Sequence, residues 1–353
     1  MNKKTIIAGL LTALLAMSLI LAGCGRKQEV AKPEAQKKLK VALVFDVGGR
    51  GDKSFNDAAY AGLEKAQKEF GDKIEVKFLE PAASGENREQ LLRLLAQDKY
   101  DLIFGVGAIF TDPVAKVAGD FPGTKFGLVD GSIPALKAEN NVVCLLFREQ
   151  EGSFLTGAAA ALKSKAGKIG FVGRLPLPLT EKLEAGYIAG AKYVKPDIVV
   201  LSDRIDPTDD AFKDPVKGKE LALEQLKNGA DVVFYASGAS GIGVIETVAA
   251  QKALAIGMDF DQSLAATDAQ RPFLLTSMTR WVDTAVYDTI KNLVGNSFKG
   301  GYQEFGVKEN GTGYAENEYN RNLNGDIKSK LDAVRGKIVS GEIKVAPSRT
   351  EPQ

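Results

Sequence analysis

Three aspartates stand where apolar strand patterns stop: Asp46 after residues 41–45, Asp130 after 126–129 and Asp259 just beyond 253–256. In an open α/β sheet, the C-terminal tips of parallel strands border the crevice that takes ligands. A carboxylate there accepts hydrogen bonds from a vicinal diol or from ring N–H donors. A site built around such donors rejects analogues that lack them. The same acids can instead cap the turns that follow. Phe55, in Ser54-Phe55-Asn56, opens an amphipathic helix at a position where a core-facing ring is early and partly exposed. Phe212 lies in an acidic, proline-bearing loop, where it either caps the adjacent helix or forms a second flat wall. Two such rings sandwiching a planar base contribute roughly 1–3 kcal/mol per stacking contact. Arg280 follows a strand-like run and is either solvated or donates to ligand oxygens while offsetting the acids. Trp281, the sole tryptophan, is read as packing beside a hinge.

The stretch around Gly238, Ala236 to Gly243, follows a strand and opens a helix. It lacks the Lys-Ser/Thr of a phosphate-binding loop, so its glycines are read as permitting close packing and backbone approach by a neutral ligand. The chain contains no histidine, which removes histidine-based hydrolysis and histidine-ligated zinc. The Asp-x-Asp-x-Asp-Gly spacing of a calcium loop is absent from the sequence, and no cofactor or metal is expected. A formal charge of +1 leaves no electrostatic footprint for nucleic acid. Cys144 sits in the apolar run 142–147 and reads as a small buried hydrophobe.

These residues need strands and helices to place them. Apolar runs at 40–45, 74–79, 101–106, 124–129 and 142–147 alternate with helical periods at 55–70, 86–97, 110–120 and 148–163. The rhythm restarts, with strands at 168–172, 198–201, 231–235 and 253–257 and helices between them. Such alternation predicts α/β architecture with two doubly wound parallel-sheet lobes. The closing segments (a strand at 273–278, a helix at 282–294, a strand at 302–307 and a helix at 328–339) are too few for a third domain. Some of them are expected to run back to the first lobe, giving a multi-strand hinge with the ligand cleft between the lobes. The first lobe is assigned 39–150 plus about 279–300; the second takes 151–278 plus about 301–353 and the hinge crossings.

The first 23 residues read as a signal peptide: Lys3 and Lys4, an apolar stretch, then Leu21-Ala22-Gly23-Cys24. That ending resembles the bacterial lipobox, which makes Cys24 the lipidated residue and 24–38 a flexible tether. The expectation is an exported, monomeric receptor body held at the extracytoplasmic face of the cell membrane through acyl chains.

Taken together, the chain resembles the basic membrane protein family, the substrate-binding lipoproteins of ABC transporters that include bacterial purine nucleoside receptors. The motifs that carry the resemblance are LAGC at 21–24, FDVGGRGDKSFNDAAYAGL at 45–63, FKDPVKGKELA at 212–222, AIGMDFDQ at 255–262, LLTSMTRWVDTAVYDTI at 274–290 and FGVKENGTGYAE at 305–316. The resemblance implies a type I periplasmic binding protein fold and a monomeric, non-catalytic receptor that passes a nucleoside to a permease. It implies that Phe55 and Phe212 stack on the base, that Asp46 contacts the base, and that Asp259 holds ribose hydroxyls. Asn56, Gly238, Asp130 and Arg280 complete the implied ligand set. Arg280 stands where nucleoside-binding members commonly carry lysine. The alternatives are a binding protein of the same fold for a sugar or other small polar ligand and, less favoured, a nucleoside-cleaving enzyme.

Overall fold

The computed structural model describes residues 37–46, 49–51, 55–82, 85–174, 178–205 and 214–348. Cys24, its tether as far as residue 36, and Phe212 lie outside the described residues. The first sheet comprises β1 (Leu39–Val44), β2 (Ile74–Leu79), β3 (Leu102–Val106), β4 (Lys125–Val129) and β5 (Val142–Phe147). Helices α1 (Phe55–Phe70), α2 (Arg88–Gln97) and α3 (Thr111–Asp120) connect its strands. After α4 (Glu149–Lys163) the second sheet begins: β6 (Lys168–Arg174), α5 (Pro178–Val194), β7 (Val199–Ile205), α6 (Pro215–Lys227), β8 (Val232–Ala236), α7 (Gly241–Ala250), β9 (Leu254–Asp259) and β10 (Leu274–Arg280). The closing elements are α8 (Val282–Val294), β11 (Gly301–Phe305), β12 (Thr312–Tyr314), α9 (Arg321–Asn324) and α10 (Lys328–Ser340).

The two sheets have six strands each, ordered β11-β5-β4-β3-β1-β2 and β12-β10-β9-β8-β6-β7. All pairings are parallel except β10 with β12. These are the two doubly wound sheets expected from the βα rhythm, and they match the type I periplasmic binding protein fold that the family resemblance implies. The inner strands, such as β1, β3 and β4, are apolar on both faces because helices cover both. In β1, Val41 and Leu43 face one core with α1 and α8, while Ala42 and Val44 face another with α2 and α3. The second lobe's core gathers β6, β8, β9 and β10 against α4, α5 and α7. Cys144 is fully buried on β5, and burial pushes its thiol pKa up.

Among the described residues the chain passes between the lobes three times: at Arg148 between β5 and α4, at Trp281 between β10 and α8, and across 306–311 between β11 and β12. One expectation needs correcting here. The strand at 301–305, assigned by sequence to the second lobe, pairs with β5 in the first sheet, Gly301 opposite Val143 through Phe305 opposite Phe147. Its parallel partner edge was open, and a strand that returns to it completes the sheet before the last crossing. The crossings are stitched together: Arg148 N–H donates to the Phe305 carbonyl at 3.1 Å, and Trp281 N–H to that of Gly311 at 3.0 Å. The Trp281 ring lies so close to Gly313 that a Cβ there would sit 2.8 Å from it.

Candidate functional site

The strand tips bring most of the expected residues to one place. Asp130 follows β4 and Asp259 ends β9, both in the left-handed backbone region, with φ of 61° and 71°. Asp is among the few non-glycine residues that accept this conformation, and such residues cluster at functional sites. Between the two acids lies Arg280, the last residue of β10 and only 6% exposed. Its Nε and Nη2 donate to Asp259 Oδ1 at 3.0 and 2.6 Å. Its Nη1 is ion-paired with Asp130 Oδ2. One guanidinium therefore joins a carboxylate of the first lobe to a carboxylate of the second. The Phe55 ring, half-buried at the start of α1, lies 5.1 Å from the guanidinium carbon.

Two charged residues in this cluster were missed by sequence reading. Glu149 opens α4 and is 3% exposed. Its Oε1 lies 3.8 Å from Arg280 Nη1, while its Oε2 accepts from Lys182 Nζ of α5 at 3.2 Å. Burial and the Asp130 charge raise the Glu149 pKa above its ordinary value, against the pull of Lys182 and Arg280. Burial alone would lower that of Arg280. The facing Asp130, Asp259 and Glu149 reverse it, so the guanidinium stays firmly charged. The only sequence hint to Glu149 was an acid immediately after an apolar strand and its crossing arginine. Nothing local marks Lys182, whose partner is 33 residues away.

Asp46 and Asn56 form a second group on the first lobe. Asn56, 1% exposed, accepts the Asp46 N–H through Oδ1 at 2.9 Å, tying the tip of β1 to the start of α1. Gly107, at the tip of β3 with φ of 102°, presses on the Asp46 carboxylate: a Cβ there would stand 2.2 Å from Oδ2. Gly238, with φ of 59°, turns the chain at the tip of β8, next to β9 in the sheet. The glycines after it serve packing: Cβ atoms at Gly241 and Gly243 would lie 2.0 Å from the Tyr235 ring and 1.9 Å from the Pro215 carbonyl. The structure thus joins Phe55, Asp130, Asp259 and Arg280 directly and pairs Asp46 with Asn56. Phe212 falls outside the described residues.

This arrangement offers a flat apolar face, carboxylate acceptors from both lobes and a fixed cation, which suits a small uncharged ligand rich in N–H or O–H donors. No helix among the described residues is long and apolar enough to cross a membrane.

Known proteins agree with this architecture. An uncharacterized lipoprotein of Pyrococcus abyssi is 38% identical over 318 residues, covering 87% of this chain and 76% of that protein. Basic membrane protein A of Borreliella burgdorferi is 33% identical over 350 residues, covering 97% and 96%. Among solved structures, an ABC transporter solute-binding protein of Aeropyrum pernix K1 superposes with a TM-score of 0.73 at 28% identity, covering 89% of this chain and 94% of that one. One from Conexibacter woesei, at 21% identity and TM-score 0.70, shares the fold. The family and these structural neighbours are substrate-binding proteins rather than enzymes. The family model for PnrA-like ABC transporter substrate-binding proteins matches residues 39–349, and this chain belongs to that family, Bmp.

Proposed function

We propose that this substrate-binding protein captures a nucleoside, in preference a purine nucleoside, and delivers it to its ABC permease. The observation that carries the reading is the half-buried Phe55 ring beside carboxylates drawn from both lobes. A ring face suits a heterocycle, and acids suit the donors on its rim and on a ribose. In this reading Phe55 stacks on one face of the base and Phe212 on the other, while Asp46 accepts from base N–H groups such as those of guanine or hypoxanthine. Asp259 and Asp130 hold hydroxyls, Gly238 lends its backbone, and Asn56 fixes the Asp46 tip against Phe55. Arg280 neutralises the acids it bridges. Phosphorylated nucleotides are disfavoured, because Asp46, Asp130, Glu149 and Asp259 outnumber Arg280 and Lys182 around the cleft.

The receptor works as a monomer without a cofactor and performs no chemistry on its ligand. The lipoprotein relatives support anchoring through Cys24 at the extracytoplasmic membrane face. Ligand carried through purification tests the reading. Mass spectrometry of denatured protein is expected to find a nucleoside absorbing in the near ultraviolet. A sugar in its place, or free base released from added inosine, would overturn the reading.

A further inference from the structure

Asp130 and Asp259 approach one another from different lobes, and their side chains are 17% and 16% exposed. Two carboxylates so placed repel one another unless something intervenes, and the repulsion opposes any approach of the lobes. Arg280 intervenes with the geometry of a fork. Its Nε and Nη2 edge takes Asp259, its Nη1 takes Asp130, and Glu149 lies beyond Nη1 at 3.8 Å. Lys182 closes the far end of the chain by holding Glu149. The linked charges thus run from the first sheet, through the end of β10 in the second, to α5 of the second lobe.

The fork matters because an ammonium is a point charge on a flexible stem, whereas a guanidinium offers donors in fixed directions within one plane. Arg280 also has little freedom to swing. It is buried, its strand neighbour across β12 is Thr312, and the Phe55 ring lies against it. The geometry points to Arg280 as a positioning residue that ties the two lobes together before any ligand arrives, holding Asp130 and Asp259 at a set separation and narrowing the range of cleft openings. The tie needs only that the two lobes face one another there. It stands whether or not the ligand is a nucleoside.

The test is made on ligand-free protein, after unfolding and refolding to strip any bound molecule. Spin labels go on Gly119→Cys of α3 and Glu246→Cys of α7, both exposed, in the full chain carrying Cys24→Ser; Cys144 is buried and does not label. Pulsed electron resonance is expected to give a narrow interlobe distance distribution for the parent. Arg280→Met is expected to shift it to longer and broader distances. Arg280→Lys, which keeps the charge and loses the fork, is expected to resemble Arg280→Met more than the parent. Should Arg280→Met fail to fold, Asp130→Asn is read in the same way, since it removes the first lobe's charge from the tie. Distributions that superpose on the parent for Arg280→Met, or for Asp130→Asn in its place, would overturn the proposal. Full restoration by Arg280→Lys would overturn the role of the fork. Adding guanosine and inosine to the parent afterwards separates this claim from the nucleoside reading: a broadened mutant distribution beside a parent that responds to neither leaves the tie intact and removes the ligand.

Discussion

Glu149 is the residue on which the electrostatics of the cleft turn. It is buried, faces Asp130, and is held by Lys182 and approached by Arg280, so its carboxyl binds a proton more readily in the folded chain than in the unfolded one. For an acid whose folded pKa is raised, the native state holds the extra proton in the window above the ordinary value of 4.5, and stability falls as pH rises through that window. Glu149→Gln has no such proton to lose. The stability of the wild type relative to Glu149→Gln is therefore expected to be greatest at or below pH 4.5 and to decline toward neutrality, as read by urea denaturation at a series of pH values. A difference that grows with pH would contradict this. Asp46, Asp130 and Asp259 were legible in the sequence because each ends an apolar strand, a pattern that needs no partner to be seen. Glu149 and Lys182 were not, because what defines them is burial against residues distant in sequence. Arg280 was visible as a candidate following a hinge strand, but its direct pairing with one carboxylate from each lobe was not.

At the scale of elements, α4 and α5 pack with their backbones nearly touching. A Cβ at Gly190 would stand 1.8 Å from the Phe154 carbonyl oxygen, and one at Gly157 would stand 2.0 Å from that of Tyr187. These helices carry Lys182 and Glu149, so their spacing sets the inner end of the charge chain. Gly190→Ala forces the helices apart and is expected to cost about 1–3 kcal/mol, the usual penalty for overpacking. Gly336→Ala in α10 serves as the control, since a Cβ there meets nothing within 4 Å, and it is expected to be neutral or slightly stabilising. Chemical denaturation of the two variants distinguishes them; equal stability would show that α4 and α5 can part without cost. The long, periodic elements were readable from the spacing of apolar residues alone, with ends within a few residues of those observed. The exchange of β11 into the first sheet was not, because a short strand's sequence says little about which of two open edges it joins. The three-residue β12 carries too little periodicity to be seen at all.

At the scale of the whole molecule, two lobes of one construction face each other through their strand tips, and three crossings join them. That construction follows from a repeated βα rhythm, which is why the fold was the most legible part of the chain. Ligand identity was far less legible, since it depends on which side chains meet across the cleft and on Phe212, known here from sequence alone. The central claim is that a ring from the first lobe and acids from both lobes enclose one flat, donor-rich molecule. Calorimetric titration of the stripped full chain with guanosine, inosine, adenosine, free bases and simple sugars tests it most directly. Saturable one-to-one binding of at least one purine nucleoside, weakened roughly tenfold or more by Phe55→Ala as expected for one lost stack, is the predicted result. Silence toward all three nucleosides, or an affinity that Phe55→Ala leaves unchanged, would contradict it.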